Sequence, residues 1–411
     1  MRRPLALLTA ILAAATLAVA ACSDDDSGGG GGTTLTVLSW DNEATMKPVL
    51  DAFRAAHPDI KLNVSYSPPV AEYIQTLQTR VLSGKAPDVF LIAAENKTKL
   101  IDGKLVVDLA KEPFLAGLPE INKTTYGRDG AVYGLSLSSW GAGIMYNKDL
   151  LAKVGATEPP ATWDAFLDLC RKLKAAGIPP ILEALDGMPI VLSAFLGARN
   201  TTQNLQMDAK IFGGQSTFAA EWTEALSQYN RIFTDGLEPA TVVGLKGDQV
   251  NDEFANGRVA MIPTGPWAVG AIREKAPNLK ISLAPVPAAP GGQPFLSGAA
   301  GPGWAISSKS ENLDAAKTFL TFLASAPAIE TYQKSSNAIT VTENFQPPID
   351  EALKPIVEDV RAGKFYLPQI AWTRAEDVLN VEAVAQLQLM VQKKATPEQV
   401  AAALDKKLAA S

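Results

Sequence analysis

The sequence predicts an α/β chain arranged as two lobes. Three observations carry that reading. The chain has 411 residues, more than one hydrophobic core supports. Its first third alternates strand-like and helix-like segments, which implies right-handed crossovers around mostly parallel sheets. Further strand and helix patterns return after residue 130, with Pro/Gly-rich passages between them. A hydrophobic share of 47% beside a charged share of 19% fits a folded globular chain.

The N-terminus reads as an export signal. Arg2 and Arg3 form a positive start, residues 5–19 are apolar, and Ala20-Ala21 supply small residues before a cut. Val19-Ala20-Ala21-Cys22 resembles a bacterial lipobox, in which cleavage before Cys22 leaves a lipid-bearing cysteine. The competing reading is an ordinary signal peptide with an incidental cysteine. Residues 22–33 are acidic and then glycine-rich, as a flexible tether is. Signal peptide 1–21 and tether 22–33 therefore precede the folded part. No later stretch is long and apolar enough to span a membrane. A lipidated Cys22 leaves Cys170 without a partner, so no intrachain disulfide is expected.

The folded part opens with strand LTVLSW (35–40). The helix MKPVLDAFRAAHP (46–58) follows and ends before Pro58. Strand IKLNVSYS, helix EYIQTLQTRVLSG closed by Gly84, and strand APDVFLIA come next. The last of these is nearly all apolar and reads as buried on both faces. GAVYGLSLSS (130–139) and GAGIMYN (141–147) read as two strands separated at Trp140 and Gly141. PATWDAFLDLCRKLKAAG (160–177) is a helix with Thr162 at its N-cap and Cys170 as a small buried residue. In NDEFANGRVAMIPTGPWAV a helix ends and a strand follows. The strand breaks at Pro263, turns through Gly265 and Pro266, and presents Trp267 where a helix begins. DAAKTFLTFLAS is amphipathic, and TPEQVAAALDKKLAA is a helix capped by Thr396.

Several function classes are excluded or weakened. Net charge is −6 with no basic stripe, against nucleic-acid binding. His57 is the only histidine, which removes a multi-histidine metal site; no metal and no cofactor are expected. His57 precedes Pro58 at a helix end and reads as structural.

The segments match a family in order. They are the lipobox, LSW, HPDIKL, APDVF, DGAVYGL, GIMYNKDLL, PATWDAF, FANGRVAMIPTGPW, PGWAISSKS and YLPQIAW. Together they resemble the extracellular sugar-binding proteins of ABC importers, the maltose-binding-protein-like group. The resemblance implies the type II periplasmic-binding-protein fold: two α/β lobes, a hinge of crossing segments, and ligand held in the cleft between lobes. Mapped onto this chain, lobe one covers 34–138 plus 298–343, and lobe two covers 139–297 plus 344–411. Crossings are expected near 138–140, 295–298 and 343–347. It also implies a carbohydrate ligand, the transmembrane subunits of an ABC permease as partners, a monomer, and attachment by the N-terminal lipid to the outer face of the cytoplasmic membrane.

A sugar offers apolar C–H faces for aromatic rings and hydroxyls for carboxylates and amides. Five tryptophans are candidates for the aromatic part. Trp267 stands on the stiff turn where the family carries a stacking aromatic. Trp372 lies in LPQIAWTRAEDV, where the family carries another. Trp304 follows a Gly-rich turn, Trp140 sits beside the first crossing, and Trp40 ends the first strand. The polar candidates are Asp41, Asn42 and Glu43 after the first strand, Glu95 and Asn96 after the third, and Arg374. Each has a bland alternative as core filling, cap or solvated loop. Trp163, Trp222 and Asp88 read as structural. Ala93 and Ala94 are smaller than the family's groups at that loop, so maltose itself is not implied. A non-sugar solute on the same fold and an extracytoplasmic glycosidase are the alternatives. The second lacks an evident acid pair, and no catalytic residue is expected.

Overall fold

The computed structural model describes residues 32–411 apart from Ala94, Glu95, Asn337 and Asn344. The expected signal peptide, Cys22, nearly all of the tether and Glu95 lie outside the described residues. Among the described residues no helix is long and apolar enough to cross a membrane.

The order begins β1 (Thr33–Ser39), α1 (Glu43–Ala56), β2 (Ile60–Tyr66), α2 (Val70–Leu82), β3 (Val89–Ile92). Helices α3 (Lys97–Asp102) and α4 (Glu120–Thr124) and the ribbon β4 (Gly127–Arg128) and β5 (Ala131–Val132) follow. Next come β6 (Ser138–Asn147), α5 (Lys148–Ala152), α6 (Trp163–Ala175), α7 (Ile190–Thr202), α8 (Met207–Phe212), α9 (Phe218–Thr234) and α10 (Gly247–Ala255). Then β7 (Met261–Thr264), α11 (Trp267–Lys275), β8 (Ile281–Ala284), β9 (Leu296–Ala300), β10 (Gly303–Ile306), α12 (Leu313–Leu323) and α13 (Ala326–Ser336). The chain ends with β11 (Ile339–Thr340), α14 (Lys354–Arg361), β12 (Phe365–Tyr366), α15 (Pro368–Ala371), α16 (Glu376–Val391) and α17 (Pro397–Ala410).

The first sheet runs β10-β3-β1-β2. β1 pairs parallel with both β2 and β3, and β10 closes antiparallel on β3. Local chemistry explains the elements. Asn42 accepts the Thr45 amide and starts α1, whose Met46, Val49, Leu50 and Phe53 are buried at helical spacing. All four β3 residues are buried, as a run of apolar residues anticipates. Asp88 proves structural. It accepts the Thr36 amide and hydroxyl at 2.8 and 2.6 Å and the Ser310 hydroxyl at 2.6 Å. Those bonds stitch β1 to the chain beyond β10.

The second sheet is organised about β6. β9 and β11 flank its start, and β7 and β8 flank its end, all antiparallel to it. β12 adds parallel to β9. The expectation of two strands broken at Trp140 and Gly141 is corrected here: β6 is one ten-residue strand through both positions. Gly141 keeps the ladder continuous by lying opposite Gly298, in a space where a Cβ meets the Val360 and Leu296 side chains. At Gly143 and Gly298 the fit is closer still, with backbone oxygens of Ala284 and Trp140 within 2.1 and 2.3 Å of where a Cβ stands.

Helices cover both faces of this sheet. Trp163, Trp222 and Leu226 belong to one core, and Phe254, Ile272 and Ile356 to the other. A third core under the first sheet holds Leu35, Phe53, Phe90 and Phe319. Trp163 and Trp222 are fully buried, as the helix spacing anticipates. Trp163 donates its indole N–H to the Gln228 carbonyl at 2.9 Å. Cys170 is buried in α6, where burial pushes its thiol up. Thr162 holds the N-cap position of α6 without a side-chain bond, whereas Thr396 caps α17 in a reciprocal box with Gln399.

Candidate functional site

Two tryptophans meet at the end of the second sheet. β7 ends at Thr264 and α11 starts at Trp267, with Ala268, Val269 and Ile272 buried to hold the turn in place. The Trp267 ring folds back over Gly265, where a Cβ stands 2.3 Å from it. Trp267 is 53% exposed, unusual for so large an apolar group. On the neighbouring β6, Trp140 lies opposite Ala299 and is half-buried. The two rings pack edge to face, with centroids 5.5 Å apart and planes at 78°. Such a pair holds a ring at a fixed angle while leaving a face open to an apolar partner.

A second group forms where β1 ends. Trp40 is half-buried and packs edge-on against Tyr73 at 5.7 Å. Asp41 accepts the Tyr332 hydroxyl at 3.0 Å. Burial pushes the Asp41 carboxyl up to about 6, against the opposing effect of that hydrogen bond. Glu43 is exposed in the first turn of α1. Asn42 is also exposed, but its carbonyl oxygen is engaged as the α1 cap.

The loop after β3 supplies a third group. Asn96 is buried; its Oδ1 accepts the Ala93 amide at 2.8 Å, and its Nδ2 has no partner. An orphaned buried donor costs roughly 1–3 kcal/mol. Beyond it, Lys97 reaches the Ile370 carbonyl at 2.7 Å and Lys99 pairs with Asp377 at 3.1 Å. These bonds join the α3 segment to α15 and α16.

Three further candidates stand in other surroundings. Trp372 is 1% exposed, packed among Phe212, Phe218 and Trp222. It follows α15 on the side covered by α8 and α9, so its ring fills core. Trp304 is buried on β10 opposite Leu91 and packs edge-on against Phe319; its strand closes the first sheet, which turns the ring inward. Arg374 donates to the Leu408 carbonyl near the end of α17 at 3.3 Å, rather than to a carboxylate.

Features that sequence reading missed lie far apart in the chain. Tyr332 is 291 residues from Asp41, and no motif links them. A cavity of about 800 Å³ runs along the β12 edge, lined by Phe295, Tyr366, Asn200 and Asp208 and faced by Ile121 of α4 and by Thr125 just after it. Inside it the Tyr366 hydroxyl donates to both Asp208 oxygens, at 2.8 and 2.9 Å. Glu183 and Glu238 form a buried pair beside the start of α7. Glu183 Oε1 accepts the Ile190 amide at 2.7 Å, Glu238 accepts the Glu183 amide, and Glu238 Oε2 has no partner. Burial pushes Glu183 up to about 7, and burial with the neighbouring Glu183 charge raises Glu238 well above its ordinary value.

The profile of bacterial extracellular solute-binding proteins matches residues 39–330. The multiple sugar-binding protein of Streptococcus mutans is 25% identical over 334 residues, 79% of this chain and 78% of that protein. The melibiose/raffinose/stachyose-binding protein of Bacillus subtilis is 24% identical, covering 83% of this chain and 82% of its own length. A family 1 extracellular solute-binding protein from Bifidobacterium longum subsp. infantis has a solved structure that superposes with TM-score 0.79. It is 30% identical and covers 93% of this chain and 100% of that one.

Proposed function

The chain belongs to the bacterial extracellular solute-binding protein family, and on that premise we propose that it captures a mono- or oligosaccharide between its two lobes and delivers it to the transmembrane subunits of an ABC importer. The observation that carries this reading is Trp267: half-exposed, folded over Gly265, and held at a right angle by Trp140. A fixed aromatic face with an open side suits the C–H face of a sugar. Asp41 and the exposed Glu43 supply the polar side that hydroxyls need. The sugar-binding relatives support the same ligand class.

The lobes are 34–138 plus 298–343 and 139–297 plus 344–411. Sugar touching both lobes stabilises the closed form by its differential affinity, and the closed form docks on the permease. The protein binds without turnover, works as a monomer, and is held at the outer face of the cytoplasmic membrane by lipid on Cys22. A thermal-shift screen against raffinose, stachyose, melibiose and maltotriose tests the ligand class. No shift with any sugar, or release of monosaccharide on incubation, defeats the reading. Cys22→Ser should move the protein from the membrane to the soluble fraction.

A further inference from the structure

The bond between Asp41 and Tyr332 joins two parts of the molecule that sequence keeps far apart. Asp41 stands in the loop where β1 ends, its amide bonded to the Ser39 hydroxyl at 3.1 Å. Tyr332 stands on α13, with its ring packed on the core of the first sheet. That ring also lines a small cavity, about 40 Å³, together with Met46, Trp304, Ser138 and Thr340. Ser138 and Thr340 are partners where β6 and β11 pair.

The next residue of α13 completes the connection. Gln333 is buried. Its Oε1 accepts the Thr340 amide at 3.1 Å, and its Nε2 donates to the Pro347 and Pro348 carbonyls at 3.2 and 2.8 Å. One helix therefore holds the β1 loop through a phenol and the β11 segment through an amide. The phenol is a fixed donor: burial and the neighbouring Asp41 carboxylate push its ionisation well above the ordinary tyrosine value. Among the described residues the Asp41 carboxylate is bonded at Oδ2, which leaves Oδ1 to accept from a hydroxyl.

We propose that Tyr332 is a positioning residue for carbohydrate capture: it aims the Asp41 carboxylate at a sugar hydroxyl and ties that loop to the β11 segment that pairs with β6. The proposal rests on the carbohydrate reading above. The titratable groups around the Asp41 carboxyl are Tyr332 on α13 and, on its own loop, the exposed Glu43. A carboxyl that titrates near 6 accepts fully above that pH and loses its charge below it. The Tyr332 bond favours the charged form, so removing it moves the transition to higher pH.

The test is calorimetric titration of wild type and Tyr332→Phe between pH 5 and 8, with the tightest of raffinose, stachyose, melibiose and maltotriose. Wild type should bind, and weaken below about pH 6. Tyr332→Phe should bind about 10-fold more weakly at pH 7, and its loss of affinity should begin at higher pH. A variant with wild-type affinity and an unmoved pH profile overturns the proposal and leaves the carbohydrate reading intact. Wild type that binds no sugar overturns both. Should Tyr332→Phe not fold, Asp41→Asn replaces it: a pH dependence below 7 that survives this change overturns the proposal, and one that disappears supports it.

Discussion

Trp140 stands edge-on to Trp267, centroids 5.5 Å apart, although 127 positions of sequence separate the two residues. The contact sets how the exposed ring is presented. Trp267→Ala should lower sugar affinity about 10-fold or more while changing melting temperature little, since half of the ring already meets solvent. Calorimetry and thermal melts check both halves. Unchanged affinity with a large fall in melting temperature would make Trp267 a core residue.

The proposed sugar site makes Trp140 act on the ligand through the Trp267 ring it packs against. A double-mutant cycle with Trp140→Ala and Trp267→Ala should give a coupling of about 0.5–1.5 kcal/mol in sugar affinity. Strict additivity of the two losses means the pair is incidental.

Trp372 should behave in the opposite way from Trp267. It is 1% exposed among three aromatic rings, so Trp372→Ala should cost about 3–5 kcal/mol of stability. The folded fraction should keep its affinity. Its indole N–H has no partner, so Trp372→Phe, which removes that donor, should cost much less. Urea unfolding of the two variants orders them.

The buried Glu183–Glu238 pair gives stability a pH slope. Unfolded glutamates release protons near 4.5, whereas folded Glu183 holds its proton to about 7, and burial beside Glu183 also raises Glu238 well above its ordinary value. Their contribution is therefore full below 4.5 and declines as pH rises from there through 7. Glu238→Gln should flatten this part of the slope and raise stability at pH 8. Unfolding midpoints at pH 5, 6, 7 and 8 compare it with wild type; parallel slopes count against the pair.

Asp88 slopes the other way. Burial pushes its carboxyl up, but bonds from Ser310, Thr36 and Asn312 outweigh that and hold it below its ordinary value. Its stabilisation is present above the unfolded value near 3.8 and lost as pH falls through the lowered one. Asp88→Ala leaves the Thr36 amide and the hydroxyls of Thr36 and Ser310 without this acceptor and should cost about 2–3 kcal/mol, measurable by denaturant titration at pH 7.

Much of the architecture was legible because local pattern and local structure agree. α1, β3 and α6 are bounded by Asn42, Pro87 and Thr162; the two helices carry apolar residues at helical spacing, and β3 is an unbroken apolar run. β6 was misread because Gly141 looks like a break, while its reason is the approach of β9 across the sheet. The site was legible only in part for the same kind of reason. Trp267 announces itself by the Pro-Gly-Pro turn before it. Trp372 and Trp304 sit in similar-looking turns, and only the helices folded over them, α9 and α12, decide that their rings point inward. Tyr332 carried no local signal because its partner, Asp41, is 291 positions away in sequence.

The tight approach of β6 to β8 at Gly143, and of β9 to β6 at Gly298, has an evolutionary consequence. Each position faces a backbone oxygen that cannot swing aside as a side chain does, so any larger residue there distorts both strands at once. The ring at 267 and the loop at 41–43 lie on surfaces that can exchange residues freely. On the proposed sugar site, a lineage can therefore change its ligand preference by altering those surfaces, while the two glycines stay closed to substitution: selectivity is free to drift on a sheet that cannot.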